Sequence, residues 1–120
     1  MNALSNNAME SLPPPAAVIG LKYDEICVRF SFSVKIKPKY RSTAVWSWYV
    51  LAGDKESDGD WKFWGLVNKN QADFEEFRLG ELQGIAESWN SELLLDTSLE
   101  FTPLSQVMGK LGLKWYNNDG

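Results

Sequence analysis

The densest group of cation-ligating side chains lies between Asp54 and Asp60. Acids occupy positions 1, 3, 5 and 7 of this segment and Gly59 occupies position 6, as in the first half of a calcium-binding loop. Position 12 of such a loop requires a bidentate Glu, but here it is Gly65. The segment therefore predicts a solvated loop between two strands, with weak cation attraction or a specific calcium site as alternatives.

Catalytic groups are sparse in this chain. It contains no His and one Cys, Cys27, which excludes Ser-His-Asp and Cys-His catalysis, His-ligated zinc and an intrachain disulfide. Cys27 is expected to be a small buried apolar residue. Glu76 and Glu81 are five positions apart and do not share a helical face. We therefore predict a non-enzymatic protein without catalytic residues, cofactor or metal site.

The basic residues are concentrated early in the chain. Residues 21–41 carry six basic side chains against two acidic ones, whereas residues 42–120 carry six against thirteen, and the net charge is -4. A strip of cations on one strand can follow a phosphate backbone while nearby rings stack on bases. The alternative is that Lys and Ser keep an exposed strand soluble and deter edge pairing. The predicted nucleic-acid strip, for weak single-stranded binding, is Arg29, Lys35, Lys37, Lys39 and Arg41.

Tryptophan is abundant, with six residues in 120. Most of these rings are expected in the core, but Trp is also enriched where proteins bind one another. The favoured function is therefore binding of an unknown protein partner through an aromatic surface. The predicted surface comprises Trp46, Trp48, Trp61 and Trp64.

Alternation of apolar and polar residues predicts the strands that must position these groups. Apolar residues alternate without error from Val28 to Ile36, and Pro38 follows, as in a strand with one buried and one wet face. Aromatic and β-branched runs at about residues 45–52 and 61–68 flank the acidic segment. They predict a central hairpin with apolar groups on both faces.

The second half of the chain predicts helices around one further strand. Apolar residues from Leu79 to Trp89 recur at helical spacing, after a short strand that begins near Phe74. Residues 93–101 are a strand candidate. Thr102 and Pro103 then form a helix start, with a hydroxyl at the N-cap and a proline at the first helical position, and Gly112 closes that helix.

These elements predict a single α+β domain at residues 18–116. A mostly antiparallel sheet of three to five strands, centred on the aromatic hairpin, is covered by two short helices. Residues 1–17, rich in Asn, Ser and Pro, are expected to be a disordered tail, and residues 117–120 a frayed terminus. Hydrophobic residues make up 44% of the chain, enough for one core.

Several of these segments also resemble a known family when taken in order. They are Val34-Lys-Ile36, Trp46-Ser-Trp-Tyr49, Phe63-Trp-Gly-Leu-Val67, Glu76-Phe-Arg-Leu-Gly-Glu-Leu82 and Leu99-Glu-Phe-Thr-Pro-Leu-Ser105. Together they resemble the bacterial domain of unknown function family numbered 2958. The resemblance covers about residues 34–107, and Trp89-Asn-Ser departs from the Gly-Pro-rich turn of that family.

The resemblance implies a small bacterial accessory protein of plasmids and integrative elements, without an established activity. No apolar run of the chain approaches the length of about 18 residues typical of a membrane span, so no membrane partner is expected. A single cysteine is compatible with a reducing compartment, and we predict a cytoplasmic location.

Overall fold

The computed structural model describes residues 9–113. The helices are α1 (Pro15–Val18), α2 (Leu79–Ser88) and α3 (Leu104–Lys110). The strands are β1 (Cys27–Val28), β2 (Phe30–Ile36), β3 (Ala44–Lys55), β4 (Trp61–Asn68), β5 (Ala72–Arg78), β6 (Leu93–Asp96) and β7 (Thr102–Pro103). The predicted α+β class is confirmed.

Five strands form one antiparallel sheet in the order β5-β4-β3-β2-β6, and β1 pairs with β7 in a separate two-stranded sheet. The hairpin of β3 and β4 lies at the centre, with Lys55 opposite Trp61 at its turn, as the aromatic runs predicted. The register shifts once, between Val50 and Ala52. This bulge leaves Leu51 without a cross-strand partner, and Leu51 packs in the core on the opposite face from Val50.

Both faces of the central hairpin pack against a core, which explains why β3 and β4 are apolar on both sides. The first core lies between the sheet and α2, and contains Phe32, Trp48 and Phe63. The second core lies between the opposite face and α3, and contains Leu51, Leu66 and Leu104. Gly65 permits the close approach of β4 to β3, because a Cβ atom there would collide with the carbonyl oxygen of Tyr49.

The N-terminal segment differs from the predicted tail. Met9 and Leu12 are buried in the first core, at 4% and 9% exposure, and the backbone N–H of Gly53 donates to the carbonyl of Pro13 at 3.0 Å. Residues 9–17 therefore belong to the folded unit, because their few apolar side chains fill space beside β3. Residues 1–8 and the predicted frayed residues 117–120 lie outside the described residues.

The start of α3 also differs from its prediction. Thr102 is paired with Val28 in the small sheet, so it is not the N-cap, and Pro103 takes that position without a side-chain hydrogen bond. The first N–H groups of the helix instead donate to the carbonyls of Ile26 and Tyr23. Backbone acceptors therefore replace the expected hydroxyl cap. At the other end, Gly112 has φ 74 and closes the helix as predicted.

Candidate functional site

Five basic side chains lie at the same end of the large sheet. Lys35 is the last exposed residue of β2, and Lys37, Lys39 and Arg41 are exposed in the connection from β2 to β3. The turn from β4 to β5 reaches the same end, since Ser47 pairs with Asn68. We call the group the basic end: Lys35, Lys37, Lys39, Arg41 and Lys69.

Two aromatic rings lie among these cations. Tyr40 is 88% exposed, and Lys39 Nζ lies 5.5 Å from its ring centroid. Trp46 is half-buried, and Lys69 Nζ lies 5.5 Å from its ring centroid. A cation close to a ring face is attracted by the ring quadrupole. The basic end therefore pairs positive charge with rings on which a planar group can stack.

Within residues 9–113, the sheet beside the basic end is not covered on the α3 side. Val45 lies opposite Lys35, and Leu94 lies opposite Ser33. Both apolar side chains are about half exposed, at 55% and 52%, because α3 covers the other part of this face. The basic end thus borders a flat surface with apolar side chains.

One acid lies in the loop that contacts the basic end. The Ser91 hydroxyl donates to the carbonyl oxygen of Lys35 at 2.6 Å, which holds the loop between α2 and β6 against the end of β2. Glu92 is exposed in that loop. The basic end keeps an excess of positive charge, because its five cations outnumber two nearby acids, Glu92 and Asp73, of which Asp73 pairs with Val67 beside the β4–β5 turn.

Arg29 does not belong to the basic end, so the predicted strip divides into two parts. It precedes β2 and lies six residues from Lys35 along an extended chain, roughly 20 Å away. Its guanidinium carbon lies 5.1 Å from the ring centroid of Phe101, and its N–H donates to the carbonyl of Val50. Because β1 ends at Val28 and β2 begins at Phe30, Arg29 lies outside the alternating strand from which the strip was predicted.

The four tryptophans do not form one surface. Trp48 is 1% exposed in the first core, so it is not available to a partner. Trp46 and Trp61 are half-buried beside the first core, whereas Trp64 is half-buried beside the second. The predicted aromatic surface is wrong as a single patch, because alternation places these rings on opposite faces of the sheet.

The acidic loop is held by hydrogen bonds and ion pairs within the protein. Glu56 Oε1 lies 2.9 Å from Arg78 Nη2, and Asp60 Oδ1 accepts from the backbone N–H of Trp61. Asp58 Oδ1 accepts from the N–H of Asp60. Among residues 9–113, no three His, Cys, Asp or Glu side chains converge where they would hold a metal ion. The geometry gives no support to the calcium-site alternative.

Lys62 lies between two carboxylates beside this loop. Its Nζ is 3.0 Å from Glu76 Oε1 and 3.9 Å from Glu56 Oε1. The hydrogen bond to Glu76 and the charge of Glu56 raise the pKa of Lys62 above its ordinary value of 10.5. The two interactions of Lys62 therefore stabilise the fold below its ordinary pKa, and this stabilisation is lost as the pH rises through the raised pKa. The cluster links β4 and β5 to the acidic loop, and its charges are already paired.

Sequence reasoning missed Lys69 and Tyr40. Lys69 lies in the β4–β5 turn, far from the strip in sequence, yet consecutive antiparallel hairpins bring alternate turns to the same end of a sheet. That rule was sufficient to place Lys69 at the same end of the sheet as Lys37. Tyr40 lies between Lys39 and Arg41, so its position within the strip was the available signal.

The comparisons with known proteins add no relative. No family model, no curated protein and no solved structure matches this chain, and the resemblance to family 2958 stays a prediction. Within residues 9–113, no helix combines the length and apolar character needed to cross a membrane.

Proposed function

We propose that this protein binds single-stranded nucleic acid weakly, and without sequence preference, through the basic end. The observation that carries this proposal is that five cations lie at one end of the sheet, where Lys39 approaches the ring of Tyr40 and Lys69 approaches the ring of Trp46. Cations neutralise phosphates and aromatic faces stack on unpaired bases, which together is how sequence-tolerant single-strand binders work.

Weak binding follows from the distribution of charge. The chain has a net charge of -4, so the body of the protein repels a polyanion while the basic end attracts it. We expect dissociation constants of tens of micromolar at best, in the range of about 10⁻⁴ to 10⁻⁶ M for non-specific binding. A single strand is favoured over a duplex because Tyr40 is 88% exposed and stacking requires a free base face.

The test is fluorescence anisotropy with a labelled oligothymidylate across a salt series. With five phosphate contacts, log affinity should fall by about 3.5 per tenfold rise in salt, and the double variant Lys37→Ala/Lys39→Ala should reduce this slope by about 1.4. The matched control is Lys55→Ala/Lys110→Ala, which removes the same charge from exposed positions elsewhere. That control should bind like the wild type.

Two results would reject nucleic-acid binding at the basic end. One is the absence of binding at low ionic strength, which would leave the cations a role in solubility alone. The other is an equal loss of affinity in both double variants, which would show that only net charge matters. Tyr40→Ala adds a test of stacking, since it should weaken binding without changing the salt slope.

A protein partner is the second candidate, and exposed Val45 and Leu94 favour it. They place apolar surface on the uncovered part of the sheet, where a partner can bury it. Such a role suits the accessory protein of plasmids and integrative elements that the resemblance implies. A pull-down from a native lysate with Val45→Lys and Trp46→Ala tests it, and folded variants that retain every partner would exclude it.

A further inference from the structure

We propose that a cavity beside Arg29 and Phe101 binds a small apolar carboxylate, a site separate from the basic end. The cavity has a volume of about 220 Å³ and lies where the N-terminal segment passes β1. Pro13, Leu21 and Leu51 are among its apolar lining residues, and Glu25, Cys27, Arg29 and Phe101 also line it. It is somewhat larger than a cavity of about 150 Å³ that holds benzene, so one ring and a carboxylate fit.

The charge of Arg29 determines the class of ligand. Arg29 is half-buried, and among residues 9–113 its guanidinium has the ring of Phe101 as a neighbour but forms no ion pair. Guanidinium groups bind carboxylates through two parallel hydrogen bonds. A half-buried guanidinium that lines a cavity without an acidic partner therefore matches a carboxylate ligand.

Phe101 supports the same site through its backbone. It has φ 63, a left-handed conformation that is unfavourable for a bulky residue, and it remains 60% exposed. The N–H of Phe101 donates to the carbonyl of Val28 at 2.8 Å, which holds the ring next to Arg29 at the cavity. A glycine would adopt this conformation with less strain, and the ring lines the cavity, where it can contact a ligand.

Glu25 limits the ligand to a single negative charge. It lines the cavity, and its Oε1 accepts from the backbone N–H of Lys22 at 2.9 Å. A second carboxylate on the ligand would meet this charge. The apolar walls and one cation therefore select a monocarboxylate with a compact apolar body, such as an aryl or short alkyl acid.

Phenylacetate is a suitable probe, with 2-phenylethanol as its uncharged counterpart. We expect phenylacetate to bind in the millimolar range, to shift the amide NMR signals of Cys27, Arg29 and Phe101, and to slow thiol labelling of Cys27, the one cysteine in the chain. The alcohol should bind about tenfold more weakly, because it lacks the charge-assisted hydrogen bonds.

Variants separate this site from its surroundings. Arg29→Gln should weaken phenylacetate binding by about tenfold or more, whereas Lys37→Ala/Lys39→Ala should leave it unchanged. Phe101→Gly should also weaken binding while leaving the protein at least as stable in urea, since it relieves the backbone strain. The proposal is overturned by equal affinity for acid and alcohol, by unchanged affinity in folded Arg29→Gln, or by no shift at tens of millimolar phenylacetate.

Discussion

Asp60 Oδ1 accepts a hydrogen bond from the backbone N–H of Gly80 at 3.2 Å, twenty positions along the chain. It also accepts from the N–H of Trp61 at 2.8 Å. Gly80 is in the first turn of α2, where N–H groups lack partners within the helix. Arg78, the N-cap residue, has no acceptor in its side chain. The acidic loop therefore caps the helix from a distance.

We expect Asp60→Ala to lower the free energy of unfolding by about 1 kcal/mol, the usual effect of losing a helix cap. Asp54→Ala removes the same charge from an exposed position near the end of β3 and should change the free energy of unfolding by less than about 0.5 kcal/mol. Urea unfolding followed by circular dichroism measures both. Equal effects in the two variants would show that charge, and not capping, accounts for the loss.

Gly65 and Gly84 should respond to alanine in opposite directions. At Gly65 the new Cβ would collide with the Tyr49 carbonyl oxygen, so β3 and β4 must separate, at a cost of about 1–3 kcal/mol. At Gly84, inside α2, a Cβ meets nothing within 4 Å, and alanine should stabilise the helix by up to about 1 kcal/mol. Thermal unfolding of both variants checks this, and a stable Gly65→Ala protein would contradict the close approach.

The packing of the N-terminal segment can be tested at Leu12. We expect Leu12→Ala to lower the free energy of unfolding by about 2 kcal/mol or more, because Leu12 is 9% exposed in the first core. Ile19→Ala, at a site that is 64% exposed, should change it by less than about 0.5 kcal/mol. Hydrogen exchange gives a second measurement, since Leu12→Ala should speed exchange of the Gly53 amide, which donates to Pro13. A Leu12→Ala protein as stable as the wild type would support the tail prediction.

Asp96 should contribute to unfolding at acid pH. Hydrogen bonds from the Ser98 backbone and side chain lower the pKa of Asp96 below its ordinary value of 3.8. A group with a lowered pKa in the folded state stabilises the protein above its ordinary pKa, and this contribution is lost as pH falls through the lowered value. The difference in stability between the wild type and Asp96→Asn should therefore shrink below pH 3.8. A difference that is constant across the acid range would contradict this assignment.

The strands were predictable because their signals are local. The alternation from Phe30 to Ile36 and the aromatic runs around Trp48 and Phe63 depend on residues within each segment. Burial of Met9 was not predictable in this way, since it depends on space beside β3, and propensity contains no such information. The burial of Ser31 is similar, because Ser31 lies opposite Tyr49 on the face of the second core.

The candidate site was predictable only in part. Lys35 to Arg41 are contiguous in sequence, so charge counting finds them. Arg29 was included because alternation extends through it, and the break between β1 and β2 is set by pairing of Val28 with Thr102 far along the chain. The cavity near Arg29 is lined by residues from distant segments of the chain, so no pattern within one segment predicts it.

Strand β3 joins the basic connection at residues 37–43 to the acidic loop at residues 54–60. Its twelve residues extend over roughly 36 Å, so charges of opposite sign are separated along the molecule. The protein is therefore an electric dipole as well as a net anion. The field of a polyanion orients such a dipole before contact, so the basic connection faces the polyanion and the acidic loop points away from it. The separation of charge along β3 thus determines how the protein is oriented as it approaches a polyanion.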